Sequence, residues 1–308
     1  MKNIFCPDFV ILGFPKCGTT SLARLLDGLD RVKCAEVKEP HFFSPEFPAT
    51  RPVTCPEHYR ELYSEINNRM TFEASTWYSY SPNAIRQMLE LNPSIKFIVC
   101  LRDPIRMLAS YHQHALRRGY ESVPSLKDAW NLQDERAKGM KLPENCTRPD
   151  RLEYRTRSAI GEHYSSISKL VPERQLHTVF LEDLTENLQE SLADLSEYLD
   201  LPELKGQSLP RENPGRKYRS PMMKLTEKII SRSKILKPLR ELLKKIGLKK
   251  VYKSLIFQKV NTKMGADERD FQKIFFPHRD KQLEIVKKVA LASGNSKVVR
   301  RAELLLGR

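Results

Sequence analysis

The sequence predicts an α/β fold in which a central parallel sheet is sandwiched between helices, and three apolar runs carry the prediction. Phe9–Gly13 and Phe97–Leu101 are short and continuously hydrophobic, Leu176–Leu181 is apolar apart from His177 and Thr178, and each is followed by a segment with helical spacing. Runs of this length without polar alternation are buried on both faces. Strands of that kind alternating with helices are the mark of a parallel sheet.

The first run ends in Gly13 and passes through Pro15-Lys16-Cys17-Gly18-Thr19-Thr20 into Ser21-Leu22-Ala23-Arg24-Leu25-Leu26, whose spacing is helical. The second ends in Arg102-Asp103-Pro104, and Ile105 to Arg118 continues as a helix with proline near its first turn. The third leads to Glu182-Asp183-Leu184. Beyond it, Leu188 to Leu199 reads as a helix with Leu192, Leu195 and Leu199 on one face. Proline-rich Ser44 to Pro56 and the Pro, Asn and Gly of Lys138 to Arg151 mark loops rather than domain linkers.

The 308 residues carry 53 Lys+Arg against 38 Asp+Glu, a net charge of +15. Met222 to Lys263 alone holds 13 Lys+Arg against Glu227 and Glu241, so the rest of the chain is nearly balanced. Disorder, collagen and a membrane bundle are excluded. The expected organisation is one domain over 1–308: a core at 9–221, a basic amphipathic helical segment at 222–263, and a C-terminal helical region at 264–308. The basic segment has Ile235, Leu236, Leu239, Leu242, Leu243 and Ile246 at helical spacings, interrupted at Pro238. Such a helix packs on the core or makes peripheral contact with an anionic membrane; nucleic acid is not the expected partner.

No apolar run near the N-terminus or in mid-chain approaches the roughly 18 residues that span a bilayer. Pro7 and Asp8 interrupt the place where a signal peptide would need its apolar stretch. The expected location is cytoplasmic. Six irregularly spaced cysteines without a Cys-x-x-Cys pair read as reduced thiols. His112 and His114, two apart on a helix, point to different faces, so no metal site is expected.

Gly13-Phe14-Pro15-Lys16-Cys17-Gly18-Thr19-Thr20 resembles a P-loop, with two glycines five apart at the start of a helix, where backbone N–H groups and the helix dipole hold anions. In the nucleotide-kinase pattern a lysine follows the second glycine, whereas here Thr19 does and the lysine sits at 16. The expectation is a P-loop-like three-layer sandwich whose loop takes an anion other than ATP. A P-loop kinase or hydrolase is the rival enzyme.

Together with Arg102 and Ser110, eight apart after a later strand, Pro15 to Ser21 resembles the sulfotransferases that use 3′-phosphoadenosine 5′-phosphosulfate (PAPS). The resemblance covers about residues 9–221. It implies that Lys16, Cys17, Gly18, Thr19, Thr20 and Ser21 hold the 5′-phosphosulfate and that Arg102 and Ser110 hold the 3′-phosphate. Adenosine 3′,5′-bisphosphate would be the product, and no metal would be needed. Lys38-Glu39-Pro40-His41-Phe42-Phe43 is similar to the segment carrying the catalytic carboxylate in the heparan sulfate or carbohydrate type. Glu39 would be the base and Lys16 would offset charge in the transition state; His41 is the competing base, as in the small-molecule branch. Asn213 to Ser220 resembles the late basic loop that closes over the donor, which adds Arg216 and Lys217 to the donor site.

The pattern departs at Ala74, where heparan sulfate enzymes have a lysine after the glutamate. With no membrane anchor in view, the expectation is a soluble, bacterial-type relative. Trp77, Tyr78 and Tyr80 either line an acceptor cleft or belong to the core. Carbohydrate, lipid and small alcohol all remain open as acceptors, at oxygen or nitrogen.

Overall fold

The computed structural model describes residues 4–64, 68–144, 146, 148–210, 216–218, 257–259 and 266–307. The chain divides into two units, one made of 1–210 with 266–308 and the other of 211–265.

In the larger unit the order is β1 (Phe9–Gly13), α1 (Thr19–Asp27), β2 (Val32–Cys34), α2 (Pro56–Glu61), β3 (Met70–Glu73), α3 (Pro82–Leu91), β4 (Lys96–Leu101) and α4 (Pro104–Arg118). There follow α5 (Leu126–Asn131), α6 (Gln133–Ala137), α7 (Tyr154–Ser158), α8 (Ile160–Leu170), β5 (Leu176–Phe180), α9 (Leu181–Glu186) and α10 (Leu188–Leu199). The smaller unit contains β6 (Arg216–Tyr218) and β7 (Phe257–Lys259), and α11 (Ala266–Ala292) and α12 (Ser296–Leu306) complete the larger one.

The five strands of the larger unit form one parallel sheet in the order β2-β3-β1-β4-β5. Every residue of β1 is buried, and Phe9 to Gly13 pair in register with Lys96 to Cys100 of β4. After β1 the chain moves to one side of the sheet and after β4 to the other. The crevice at the carboxyl ends of these two neighbours is therefore the topological switch point, where open α/β sheets bind ligands.

The three apolar runs are β1, β4 and β5, as their pattern requires. Strand β5 stops one residue short of the expected end: Leu181 opens α9, with its side chain lying over Gly18, where a Cβ would stand 2.7 Å from Leu181 Cδ1. Strands β2 and β3 have three and four residues and carry no long apolar run, so periodicity does not reveal them. Helix α4 is capped by Asp103, whose carboxylate accepts from the N–H groups of Ile105 (2.9 Å) and Arg106 (3.2 Å). Arg279 of α11 donates to the same carboxylate at 2.8 Å, which fixes the strand end that carries Arg102.

The expected C-terminal helical region is present as α11 and α12, and Phe271, Phe275, Leu283, Val286 and Ala290 of α11 are fully buried. Gln282 Oε1 accepts from the N–H groups of Gly161 (3.0 Å) and Glu162 (3.1 Å), closing the start of α8. At Gly161 a Cβ would stand 2.2 Å from the Gln282 carbonyl oxygen, so only glycine permits this approach.

In the smaller unit, β6 and β7 pair antiparallel, Lys217 opposite Gln258. Within the segment expected to be helical, Phe257–Lys259 is thus a strand, and the leucine-rich stretch around Pro238 lies outside the described residues. No helix among the described residues is long and apolar enough to cross a membrane. All six cysteines are free.

Candidate active site

Three side chains expected to act in catalysis share an unusual backbone. Among the described residues, six non-glycine positions have positive φ, and three of them are Lys16 (72°), Glu39 (56°) and His41 (50°). Left-handed geometry costs a non-glycine residue of order 1–3 kcal/mol, and such strain gathers at functional sites.

Lys16 lies in the loop between β1 and α1. Gly18 caps α1 with φ 89° and no side-chain cap, and its carbonyl accepts from the N–H groups of Ser21 (3.0 Å) and Leu22 (3.1 Å); the N–H groups of Thr19 and Thr20 precede the first carbonyl of the helix that could take them. Gly13 is needed for packing, since a Cβ there would stand 2.3 Å from Thr19 Cγ2. Cys17 is fully buried and Thr19 and Ser21 nearly so, while Lys16, Gly18 and Thr20 are half-buried. The Cys17 thiol faces the protein interior and its N–H donates to the Phe14 carbonyl at 3.2 Å, so this residue offers the loop no free side chain.

From the end of β4, Arg102 Nη1 donates to the Lys16 carbonyl at 3.0 Å, which joins the two expected donor motifs at the switch point. Ser110 follows, half-buried, on α4. Glu182, in the first turn of α9, accepts from the Asp103 N–H at 3.3 Å, and burial pushes its carboxyl up. Burial, then the charges of Arg117, Arg102 and Lys38, lower Lys16 to about 8. A lysine held among cations in a partly desolvated loop is short of negative charge, and a multiply anionic ligand supplies it.

Sequence reasoning missed Arg117 and His114, both on α4. His114 Nδ1 accepts from Arg117 at 3.3 Å, and burial together with Lys16, Arg117, Arg118 and Arg151 lowers the imidazole to about 3. His112 instead bonds the Val123 carbonyl at 2.9 Å, so the two histidines do serve different surroundings. Helical spacing from Arg102 would have brought these positions into view, but nothing in the sequence marks one cation of a basic helix over another.

The segment after β2 places Glu39 between Lys38, whose Nζ is 3.0 Å from Oε1, and His41, whose Nε2 is 3.5 Å from Oε2. Burial opposes ionisation of Glu39, but the hydrogen bond from His41 and the charge of Lys38 prevail and hold its carboxyl at about 2. The Glu39 side chain is 29% exposed and that of His41 4%, so the carboxylate is the group that meets solvent.

Beneath this segment is a buried network centred on Glu73, the last residue of β3. Its carboxylate accepts from Tyr59 (2.6 Å), Tyr78 (3.1 Å) and Ser75. Ser75 Oγ accepts the His41 N–H at 3.2 Å and Tyr78 OH accepts the Phe43 N–H at 3.1 Å. The carboxylate thus holds, through two hydroxyls, the backbone that presents Glu39 and His41. Burial raises Glu73 to about 7 even with these three donors. Tyr78 belongs to this network, Tyr80 donates to the Arg157 carbonyl at 3.1 Å, and only Trp77 of the three aromatics reaches the pocket beside Glu39. Arg216 and Lys217 fall on β6 in the smaller unit.

A P-loop-like α/β sandwich with a cationic loop at its switch point is built to hold an anionic ligand. The chain belongs to the sulfotransferase family: a model described as a sulfotransferase domain matches residues 6–209. It is 26% identical over 236 residues to the bifunctional heparan sulfate N-deacetylase/N-sulfotransferase 1 of Caenorhabditis elegans, covering 74% of this chain and 26% of that protein. It is also 29% identical over 112 residues to a membrane-associated sulfotransferase of Dictyostelium discoideum, covering 36% of this chain and 24% of that protein. The chain spans about a quarter of the length of these curated relatives. A crystal structure of a sulfotransferase from Alicyclobacillus acidocaldarius shares the fold, with a TM-score of 0.57 at 21% identity over 77% of this chain and 96% of that one.

Proposed function

We propose that the protein transfers a sulfuryl group from PAPS to a hydroxyl or amine, with Glu39 as base. The observation that carries this reading is the meeting of the Lys16 loop and Arg102 at the switch point, with Lys38, which pairs with Glu39 at 3.0 Å, close enough to act electrostatically on Lys16. Lys16, Gly18, Thr19, Thr20 and Ser21 would hold the 5′-phosphosulfate, with Cys17 contributing backbone alone. Arg102 and Ser110 would hold the 3′-phosphate.

The bound donor supplies sulfur activated by a phosphate leaving group: the sulfur–oxygen bond to that phosphate breaks as the bond to the acceptor forms. Glu39 takes the acceptor proton. Lys16 offsets charge on the departing oxygen, where a fixed cation gains most because the charge is greatest in the transition state. Between the two candidate bases, Glu39 is favoured by its exposure to the pocket, whereas His41 turns Nε2 toward Glu39 and buries an unpartnered Nδ1.

Calorimetric titration with adenosine 3′,5′-bisphosphate, against ADP with and without magnesium, tests the donor assignment. Preference for the bisphosphate is the expected result; preference for magnesium-ADP would return the rival kinase reading. Segment 222–263 either packs on the core or makes peripheral contact with anionic membranes, and comparing liposome binding and solubility of the whole chain with those of a variant lacking it distinguishes the two. A cytoplasmic location is tested by fractionation of the producing cells.

A further inference from the structure

The open pocket beside Glu39 has a volume of about 370 Å³, and its wall includes Lys38, Glu39, His41, Arg51, Trp77 and Arg151. Two further arginines cover Trp77, with guanidinium carbons 4.8 Å (Arg148) and 4.4 Å (Arg157) from the ring. All four arginines bury a nitrogen that has no hydrogen-bond partner: Arg51 Nε, Arg148 Nη1, Arg151 Nε and Arg157 Nη1.

Carboxylates are too few to compensate. Asp150 takes Arg148 through two hydrogen bonds, one of 2.7 Å, and lies 4.0 Å from Arg157. Glu39 is engaged by Lys38. Among the described residues, Arg51 and Arg151 form no ion pair with a carboxylate, though the charge of Arg151 acts on Asp150 beside it; Arg51 donates to the Phe42 carbonyl at 2.7 Å and Arg151 stacks on Tyr120 at 4.3 Å. Buried N–H groups and guanidinium charges left unmatched are costly, and folded proteins rarely keep several together unless something else matches them.

That partner is neither a lipid chain nor the donor. The wall's one large apolar side chain, Trp77, is already covered by guanidinium groups, so an alkyl chain would desolvate cations and gain little. The cations that act most on Lys16, where the donor would lie, are Arg117, Arg102 and Lys38. Arg51, Arg148, Arg151 and Arg157 are not among them, although Arg151 shares with Lys16 and Arg117 an influence on His114.

We propose that the acceptor is itself an anion: a polar molecule whose carboxylate, sulfate or phosphate is held by Arg51 and Arg151, with Arg148 and Arg157 supplying the positive field behind Trp77. Held there, a neighbouring hydroxyl or amine faces Glu39. The inference rests on the sulfotransferase reading of the Glu39 pocket and narrows its substrate class.

The test uses the full chain saturated with adenosine 3′,5′-bisphosphate, so that the donor's own anion sites are filled. Three matched pairs serve as probes: trigalacturonate and its carboxyl-reduced trisaccharide, glucose 6-sulfate and glucose, and glucose 6-phosphate and glucose. Loss of one charge-assisted hydrogen-bonding group corresponds to about 10-fold or more in affinity. At least one charged member should therefore bind about 10-fold tighter than its neutral partner, with affinity falling as salt is raised. Arg51→Gln and Arg151→Gln should each remove most of that preference while bisphosphate affinity stays at the parent value, which also shows that the variants fold. Equal binding of charged and neutral members in every pair, or full preference kept in both variants, would overturn the proposal. If the protein fails to bind the bisphosphate, the donor reading falls on its own, and the charged-versus-neutral comparison still decides whether the pocket selects anions.

Discussion

Replacing Glu73 with Gln removes a buried charge while keeping a hydrogen bond to each of its three partners, though the Ser75 hydroxyl proton loses its acceptor. Gln Oε1 can accept from Tyr59 and Tyr78, and the amide can donate to Ser75 Oγ, which has a second lone pair to offer. In the folded chain burial, offset in part by the hydrogen bonds from Ser75, Tyr59 and Tyr78, places the carboxyl at about 7 against an ordinary 4.5. The folded state therefore holds this proton more tightly than the unfolded state. Its contribution to stability is fully present below pH 4.5 and is lost as pH rises through about 7. The gap corresponds to about 3 kcal/mol. Urea unfolding at half-unit steps from pH 4.5 to 8.5 should show the parent losing about that much relative to Glu73→Gln. Parallel pH profiles would refute the reasoning, because a carboxyl that titrates alike in both states contributes no slope. Glu73→Ala should cost more at every pH, about 1–3 kcal/mol for each hydroxyl left unmatched.

Other outcomes follow from the same geometry. Arg102→Ala, which loses charge-assisted hydrogen bonds to the donor, should bind adenosine 3′,5′-bisphosphate about 10- to 150-fold more weakly by calorimetry. Glu39→Gln should lower kcat by about 10²- to 10⁴-fold with donor affinity unchanged. Because the Glu39 carboxyl lies at about 2 in the free protein, its protonation should not produce an acid limb in kcat/KM above pH 4. Bisphosphate affinity should fall as pH rises through about 8, where Lys16 loses its proton, and binding near that pH should take up a proton, seen as a buffer-dependent calorimetric enthalpy. Gly18→Ala forces a Cβ into φ 89° and to 2.7 Å from Leu181, and should weaken bisphosphate binding; adding Leu181→Ala relieves the clash but not the backbone cost.

The frame of the molecule and half of its site can be read along the chain, because they depend on contiguous residues. An unbroken apolar run is buried on both faces wherever it lies, so β1 and β4 are visible before any contact is known, and β5 follows from Val179 to Leu181 and the helix pattern beyond it. The loop from Gly13 to Ser21 is equally local: two glycines, a lysine and a helix start suffice to make an anion cradle. Glu39 stands out by the resemblance of the segment around it. Strands β2 and β3 escape notice because three or four residues between loops carry too little periodicity to distinguish them from their surroundings.

What tertiary structure decided is the company each charged residue keeps. Nothing local tells Glu73 from any other acid after a short strand, yet three hydroxyls from three positions surround it and make it the support of the Glu39 segment. Likewise Arg51, Arg148, Arg151 and Arg157 are ordinary arginines in loop-rich sequence until folding gathers them around one pocket and one indole. The physical reason is range. Backbone conformation and hydrophobic burial follow from neighbours a few positions away, whereas the energy of a charge depends on every group within several ångströms, and the fold alone chooses those groups.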